Sequence, residues 1–226
     1  WVEAREKNDF RLYAPVFQKM IDLKHEETEV LGYEVHPYDA LLDLYEPDLT
    51  CNEVEQLFNS VKSELIGLVK NITSRKPVDD QFMFQYFDKD SQWNLGIQLL
   101  KEIGFDFEVG RQDLSVHPFT TSFNPLDVRL TTHINENNLY SMIWSCLHEG
   151  GHGLYEQGLS PNQYGLPCGT AISLGVHESQ SRFWENCVGR SKLFWSKYFD
   201  LVKTQFPSQM EQINAIDFYK AANKVA

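Results

Sequence analysis

The chain is short of cations. Lys and Arg total 20 against 32 Asp and Glu, a formal charge of -12, and such a surface repels phosphate backbones and anionic membrane faces. Nucleic acid is a poor partner for it. Cysteine is also scarce: Cys51, Cys146, Cys168 and Cys187 show no C-x-x-C spacing. They do not resemble a disulfide framework, and a reducing, cytoplasmic setting fits them best. No run approaches the ~20 apolar residues that cross a bilayer, and no basic segment leads into an apolar one at the start. A membrane role is not expected. Repeats and low-complexity tracts are absent as well. What the chain does have is 42% hydrophobic residues over 226 positions, ample for a core in one large domain or two small ones. It opens on Trp1 rather than Met and ends on "FYKAANKVA" inside a helical pattern, so it is expected to be cut from something longer.

Three regions follow from the patterning. Residues 1–108 read as a helical packing region. Apolar residues recur at threes and fours through Phe10, Tyr13, Ala14, Phe17 and Ile21, and again through Val54, Leu57, Val61, Leu65 and Leu68. Thr50 followed by Glu53 supplies a capping-box start to the second of these helices. Residues 109–134, with their glycine, prolines and alternation, predict a small β region. Residues 135–226 return to helix: Asn138 to Gln157, about Ala171 to Val188, and Arg190 to Val202. The fold class expected is mainly α with a small β insert near residues 110–134, the whole forming a single catalytic-domain fragment.

The chemistry sits in "HEGGH", residues 148–152. Residues four apart share a helix face, so His148 and His152 can each direct a nitrogen at one point, a geometry that suits zinc. Glu149, the next residue after the first histidine, is where a carboxylate reaches a metal-bound water. The pentapeptide is short, and a helix with two solvent-facing histidines explains it equally well. Gly150 and Gly151 each cost about 1 kcal/mol in mid-helix relative to Ala. A strand, a substrate or another helix approaching the backbone closely would account for them.

A catalytic zinc takes three protein ligands and keeps a fourth position for water. Glu178, in "GVHESQSRFWEN", could complete a His₂Glu set from an antiparallel helix. Ser181 and Arg182, one turn on, could hold its carboxylate. His177 is a rival ligand, but adjacent helical residues point about 100° apart, so only one should face the metal. In "LDVRLTTHI" a strand would put Asp127, Arg129 and Thr131 on one face. That row could position a peptide, but an Asp127–Arg129 ion pair is the plainer use. His117, just before Pro118, is either structural or a substrate contact.

"HPF" (117–119), "DVRLT" (127–131), "HEGGH" (148–152) and "HESQ" (177–180), in that order and spacing, resemble the thermostable carboxypeptidase family typified by carboxypeptidase Taq. The flanking "YDALLDLYEP" and "SQSRFWENCVGRS" resemble it too. The resemblance implies a helical zinc-peptidase architecture of the H-E-x-x-H, gluzincin-like kind with a deep groove. It also implies a homodimer and a metal-dependent exopeptidase that removes single C-terminal residues with broad specificity, usually not proline. Zinc, one per chain with cobalt possible, would be held by His148, His152 and Glu178, with Glu149 as general base and acid. His117, Arg129 and His177 would contact substrate, braced by Asp127, Thr131, Gln180 and Arg182. Two later family motifs, of I-R-x-x-A-D and Q-D-x-H-W type, are absent, so a complete metal site can coexist with an incomplete catalytic one. Two rival readings remain: an oligopeptidase or dipeptidase-type cleavage, and a non-catalytic fragment with a closed, structural zinc.

Overall fold

The computed structural model describes residues 1–225 and divides into two compact units, Trp1–Leu68 and a second beginning at Val69. Among the described residues the architecture is mainly helical with one three-stranded sheet, and no helix is long and apolar enough to cross a membrane.

The first unit holds α1 (Val2–Glu6), α2 (Ala14–Leu31), α3 (Pro37–Asp43) and most of α4 (Cys51–Thr73). Local chemistry sets their ends. Pro15 sits in the first turn of α2, where no N–H is needed. Gly32 ends that helix at φ 80°. His36 caps α3, its Nδ1 accepting from Tyr38 N at 3.1 Å while Asp39 Oδ2 accepts from His36 N at 3.2 Å. The Thr50–Glu53 capping box forms as expected: Thr50 N donates to Glu53 Oε2 at 2.9 Å, and Glu53 N donates to Thr50 Oγ1 at 3.3 Å. The packing expected of α4 does not. Leu57, Val61, Leu65 and Leu68 are all at least half exposed, and the helix buries none of its residues. Periodicity correctly gives the helix, but burial also needs an opposing surface, which periodicity alone does not supply.

In the second unit α5 (Lys89–Ile103) is capped by Asp88, whose Oδ2 accepts from Ser91 N at 2.9 Å. It stops at Gly104, left-handed at φ 99°. Strands β1 (Gly110–Leu114), β2 (Thr120–Asn124) and β3 (Asp127–Thr132) follow in the spatial order β1-β3-β2. β1 runs parallel to β3, with Gly110 opposite Val128, and β2 runs antiparallel to it, with Thr120 opposite Leu130. This is the small sheet expected from the sequence.

α6 (Leu139–Gln157) lies against β2, β3 and α5. It is capped by Asn138, whose Oδ1 accepts from Tyr140 N at 3.0 Å. α7 (Leu174–Arg182) is capped by Ser173 and runs into a π-helical turn, Phe183–Val188. The segment expected from about 171 to 188 thus starts three residues later and widens in its last third. α8 (Lys192–Gln205) and α9 (Ala215–Ala222) close the unit.

Leu95, Leu99, Met142, Ile143, Leu147, Trp195, Phe199 and Phe218 form the heart of one core shared by α5, α6, α8 and α9. At about 1.5–3 kcal/mol for each fully buried large apolar side chain, this core holds α6 rigid beneath whatever its polar face presents.

Candidate metal centre

α6 turns its apolar stripe to the core and leaves His148 and His152 on the opposite side, facing α7. Glycine permits that crossing. A Cβ on Gly151 would stand 2.7 Å from Ser181 Cα and 2.8 Å from the carbonyl oxygen of Gln180, whereas one on Gly150 would meet the side-chain ends of Leu100 and Ile103. The close approach anticipated from the glycine pair is therefore two approaches, α7 at Gly151 and α5 at Gly150. The pairs across the crossing run in opposite order: His148 with Glu185, Gly151 with Ser181, Glu156 with His177. α6 and α7 are antiparallel.

Three donors meet there. Glu178 Oε2 is 3.3 Å from His152 Nε2 and 3.7 Å from His148 Nε2, and a ligand atom from each of the three side chains lies within 4.8 Å of the others. Tetrahedral ligands of zinc, at about 2.0–2.2 Å, stand roughly 3.4 Å from one another, so the observed separations fit a single cation. The Glu178 side chain is 42% exposed against 13% for His152, which leaves the centre open on one side.

Surrounding groups fix the donors. His148 Nδ1 is 3.0 Å from Glu185 Oε2. That hydrogen bond raises the His148 pKa above its ordinary value although burial opposes it. Burial, with His177 and His148 close by, pushes His152 down to about 4, which keeps its ring neutral and one nitrogen lone pair free for a cation. Burial would raise Glu178, but His148, Arg182 and Ser181 outweigh it and hold the carboxylate below its usual range. Arg182 Nε donates to Glu178 Oε1 at 2.9 Å and Ser181 Oγ to Glu178 Oε2 at 3.1 Å. Arg182 Nη1 also reaches Glu185 Oε2 at 3.2 Å, so one guanidinium ties both carboxylates together.

Glu149 is 6% exposed. Thr120 Oγ1, at the start of β2, lies 2.6 Å from its Oε2 and 3.2 Å from its carbonyl oxygen. Burial lifts the Glu149 pKa, while Thr120 and the nearby His148 and His117 partly restrain it. Burial thus makes this carboxylate a stronger base than a solvent-exposed glutamate, the direction a proton acceptor needs.

The remaining predicted residues are distributed more widely. His177 turns away from the donor cluster: its Nε2 is 2.7 Å from Glu156 Oε1, and its ring stacks on His152 with centroids 4.5 Å apart. Asp127 and Arg129 form the ion pair, doubly bonded at 2.9 Å, with the guanidinium over the Phe123 ring. Thr131, two residues on from Arg129 in the same strand, is buried, its Oγ1 accepting from Phe119 N at 2.9 Å and from Ser115 Oγ at 2.8 Å. It thereby pins the loop that carries His117. Gln180 meets α6 through its backbone carbonyl at Gly151.

Glu185, Thr120 and Glu156 were not singled out from the sequence. Glu185 carried a usable signal, since it lies seven residues after Glu178, near the same helical face. Thr120 and Glu156 depend on pairings between distant segments and had none.

The family description "Carboxypeptidase Taq (M32) metallopeptidase" matches residues 1–226. The chain belongs to the M32 family. Among M32 relatives, it is 41% identical over 226 residues to Carboxypeptidase 1 of Bacillus subtilis (strain 168), covering 99% of this chain and 45% of that one. It is 40% identical to Thermostable carboxypeptidase 1 of Thermus thermophilus, covering 100% of this chain and 46% of that one. Its fold superimposes on the structure described as "BsuCP Crystal Structure" with a TM-score of 0.94 at 41% identity, over 98% of this chain and 45% of that one. The M32 carboxypeptidase from Deinococcus radiodurans R1 gives 0.89 at 36% identity, over 100% and 46%. The chain therefore spans a little under half the length of the relatives it matches.

Proposed function

We propose that this chain carries the metal-binding part of a metal-dependent carboxypeptidase that releases single C-terminal residues from peptides with broad specificity. The convergence of His148, His152 and Glu178 on one point beside the buried Glu149 supports this reading most strongly. The two imidazoles and one carboxylate suit zinc, with cobalt as an alternative, one ion at this centre. When bound, such a cation acts as a Lewis acid that acidifies a water and polarises the scissile carbonyl.

The chain's own residues do the rest. Glu149 takes the proton of the attacking water and returns it to the leaving amine, and Thr120 holds its carboxylate in place. Glu185 and Arg182 keep His148 and Glu178 aimed. His117, on the loop braced by Thr131, faces the substrate side; Glu156 and His177 form a wall behind His152. Arg129 is occupied by Asp127, which leaves it poorly placed to grip the substrate's free carboxylate. A homodimer of the full-length protein and a cytoplasmic setting complete the proposal.

Metal stoichiometry on the parent and on Glu178→Ala, run beside residue release from an unblocked tripeptide, tests it. One zinc or cobalt at this centre, weakened in Glu178→Ala, is expected. Glu149→Gln should keep the metal and lower any release by about 100- to 10,000-fold. Internal fragments as the only products would favour an oligopeptidase instead, and a bound metal that no substrate or inhibitor can reach would favour a structural ion.

A further inference from the structure

A second group of metal-ligating side chains lies in the first unit, about a hundred residues before the H-E-x-x-H motif: His36, Asp39 and Cys51. A ligand atom from each is within 4.8 Å of the other two. From these positions we infer a second cation site, for a borderline-soft divalent ion such as zinc, cobalt or cadmium, bound by an imidazole, a carboxylate and a thiolate. It does not rest on the function proposed above.

Three observations carry it. Cys51 Sγ is 3.4 Å from His36 Nδ1, and a tetrahedral zinc with nitrogen at about 2.05 Å and sulfur at about 2.3 Å would hold those atoms about 3.6 Å apart. The donors therefore already stand close to ligand spacing. Second, the carboxylate is fixed from behind. Asp39 Oδ1 accepts from Cys51 N at 2.7 Å and Oδ2 from His36 N at 3.2 Å, which orients it and leaves each oxygen a further lone pair. Third, the three residues span the start of α3 and the start of α4, so a shared ion would clip two helix ends across the intervening turn.

The mixed donor set also narrows the choice of ion. A thiolate discriminates against magnesium and calcium, which prefer all-oxygen sites. Without a cation, the neighbouring Asp39 carboxylate holds the Cys51 thiol above its ordinary pKa; a cation between them reverses that bias. On binding, the S–H bond breaks, the sulfur keeps the electron pair as ligand, and one proton passes to solvent. One term opposes binding: His36 Nδ1 gives up the hydrogen bond from Tyr38 N. That N–H belongs to an exposed residue in a first turn and turns to water.

The experiment is a Co²⁺ titration of chelator-stripped protein, following the near-ultraviolet thiolate-to-cobalt absorption that the sulfur-free His148, His152, Glu178 centre cannot produce. The parent is expected to show this band, and the His148→Ala/His152→Ala variant to keep it. Cys51→Ser should lose it together with one equivalent of metal. His36→Gln should weaken the band-forming affinity at least ~10-fold. A parent without the band overturns the proposal. So does a band that survives Cys51→Ser, which would assign the metal to the exposed Cys168 or Cys187. Unchanged affinity in His36→Gln would remove the imidazole from the ligand set and overturn the three-residue site as well. A parent that binds one equivalent with the band would sink the His₂Glu reading and leave this one standing.

Discussion

His148 donates its Nδ1–H to Glu185 Oε2 across 3.0 Å, and that bond decides which nitrogen of the ring is left to bind a cation. An ionised carboxylate can only accept, so Nδ1 carries the proton and Nε2 presents the lone pair toward Glu178. Glu185→Ala should therefore weaken metal binding by about 10- to 100-fold. Glu185→Gln, which keeps an acceptor oxygen, should lose less. Competition against a chelator of known affinity measures both; equal losses would show that charge, not orientation, is what Glu185 contributes.

Gly150 and Gly151 look alike in the sequence but should respond differently to alanine. At Gly151 the added Cβ meets the backbone of α7 at 2.7 Å, which can yield only by moving the helix that carries Glu178. A loss of about 1–3 kcal/mol is expected in urea unfolding, with weaker metal binding besides. At Gly150 the obstacles are the ends of Leu100 and Ile103. These can turn aside, and a gain of up to about 1 kcal/mol in helix propensity offsets the crowding, so Gly150→Ala should stay near neutral.

Acid stability should depend on Glu156. Its hydrogen bond from His177 lowers its pKa despite burial, and Ser122 adds to the effect. A carboxyl whose folded pKa is depressed contributes stability that is full above its unfolded value, about 4.3, and is lost as pH falls through the folded value. Urea midpoints taken in chelator from pH 7 to pH 3 should fall for the parent and fall less steeply for Glu156→Gln. Parallel curves would remove Glu156 from the account.

Cys146 is fully buried in the core, and burial raises its thiol to about 11. Cys168 and Cys187 are exposed. A thiol-reactive chromophore should label these two in native protein and reach Cys146 only in denaturant. Fast native labelling of Cys146, located by peptide mass, would contradict the core packing described.

Legibility followed locality. The limits of α6 could be read because its stripe, its Asn138 cap and Gly158 are neighbours in sequence. Glu178 and His177 were only half legible: adjacent helical residues point about 100° apart, so only one could face the histidines, but which one depends on how α7 crosses α6. Thr120 could not, since its contact with Glu149 exists only once a strand has been laid beside a helix. The apolar face of α4 illustrates the converse. Its periodicity is genuine, yet what covers such a face is a property of the surroundings and not of the helix.

α7 and the π-helical turn that continues it span 174–188, a length at which an isolated helix is only marginal in water. α7 stays helical by leaning on α6 at Gly151 and by sharing its carboxylate with two histidines of that helix. An ion held by all three would act as a clasp, so filling the centre and ordering α7 become one equilibrium. Amide exchange across residues 174–182 would then gauge occupancy without any substrate.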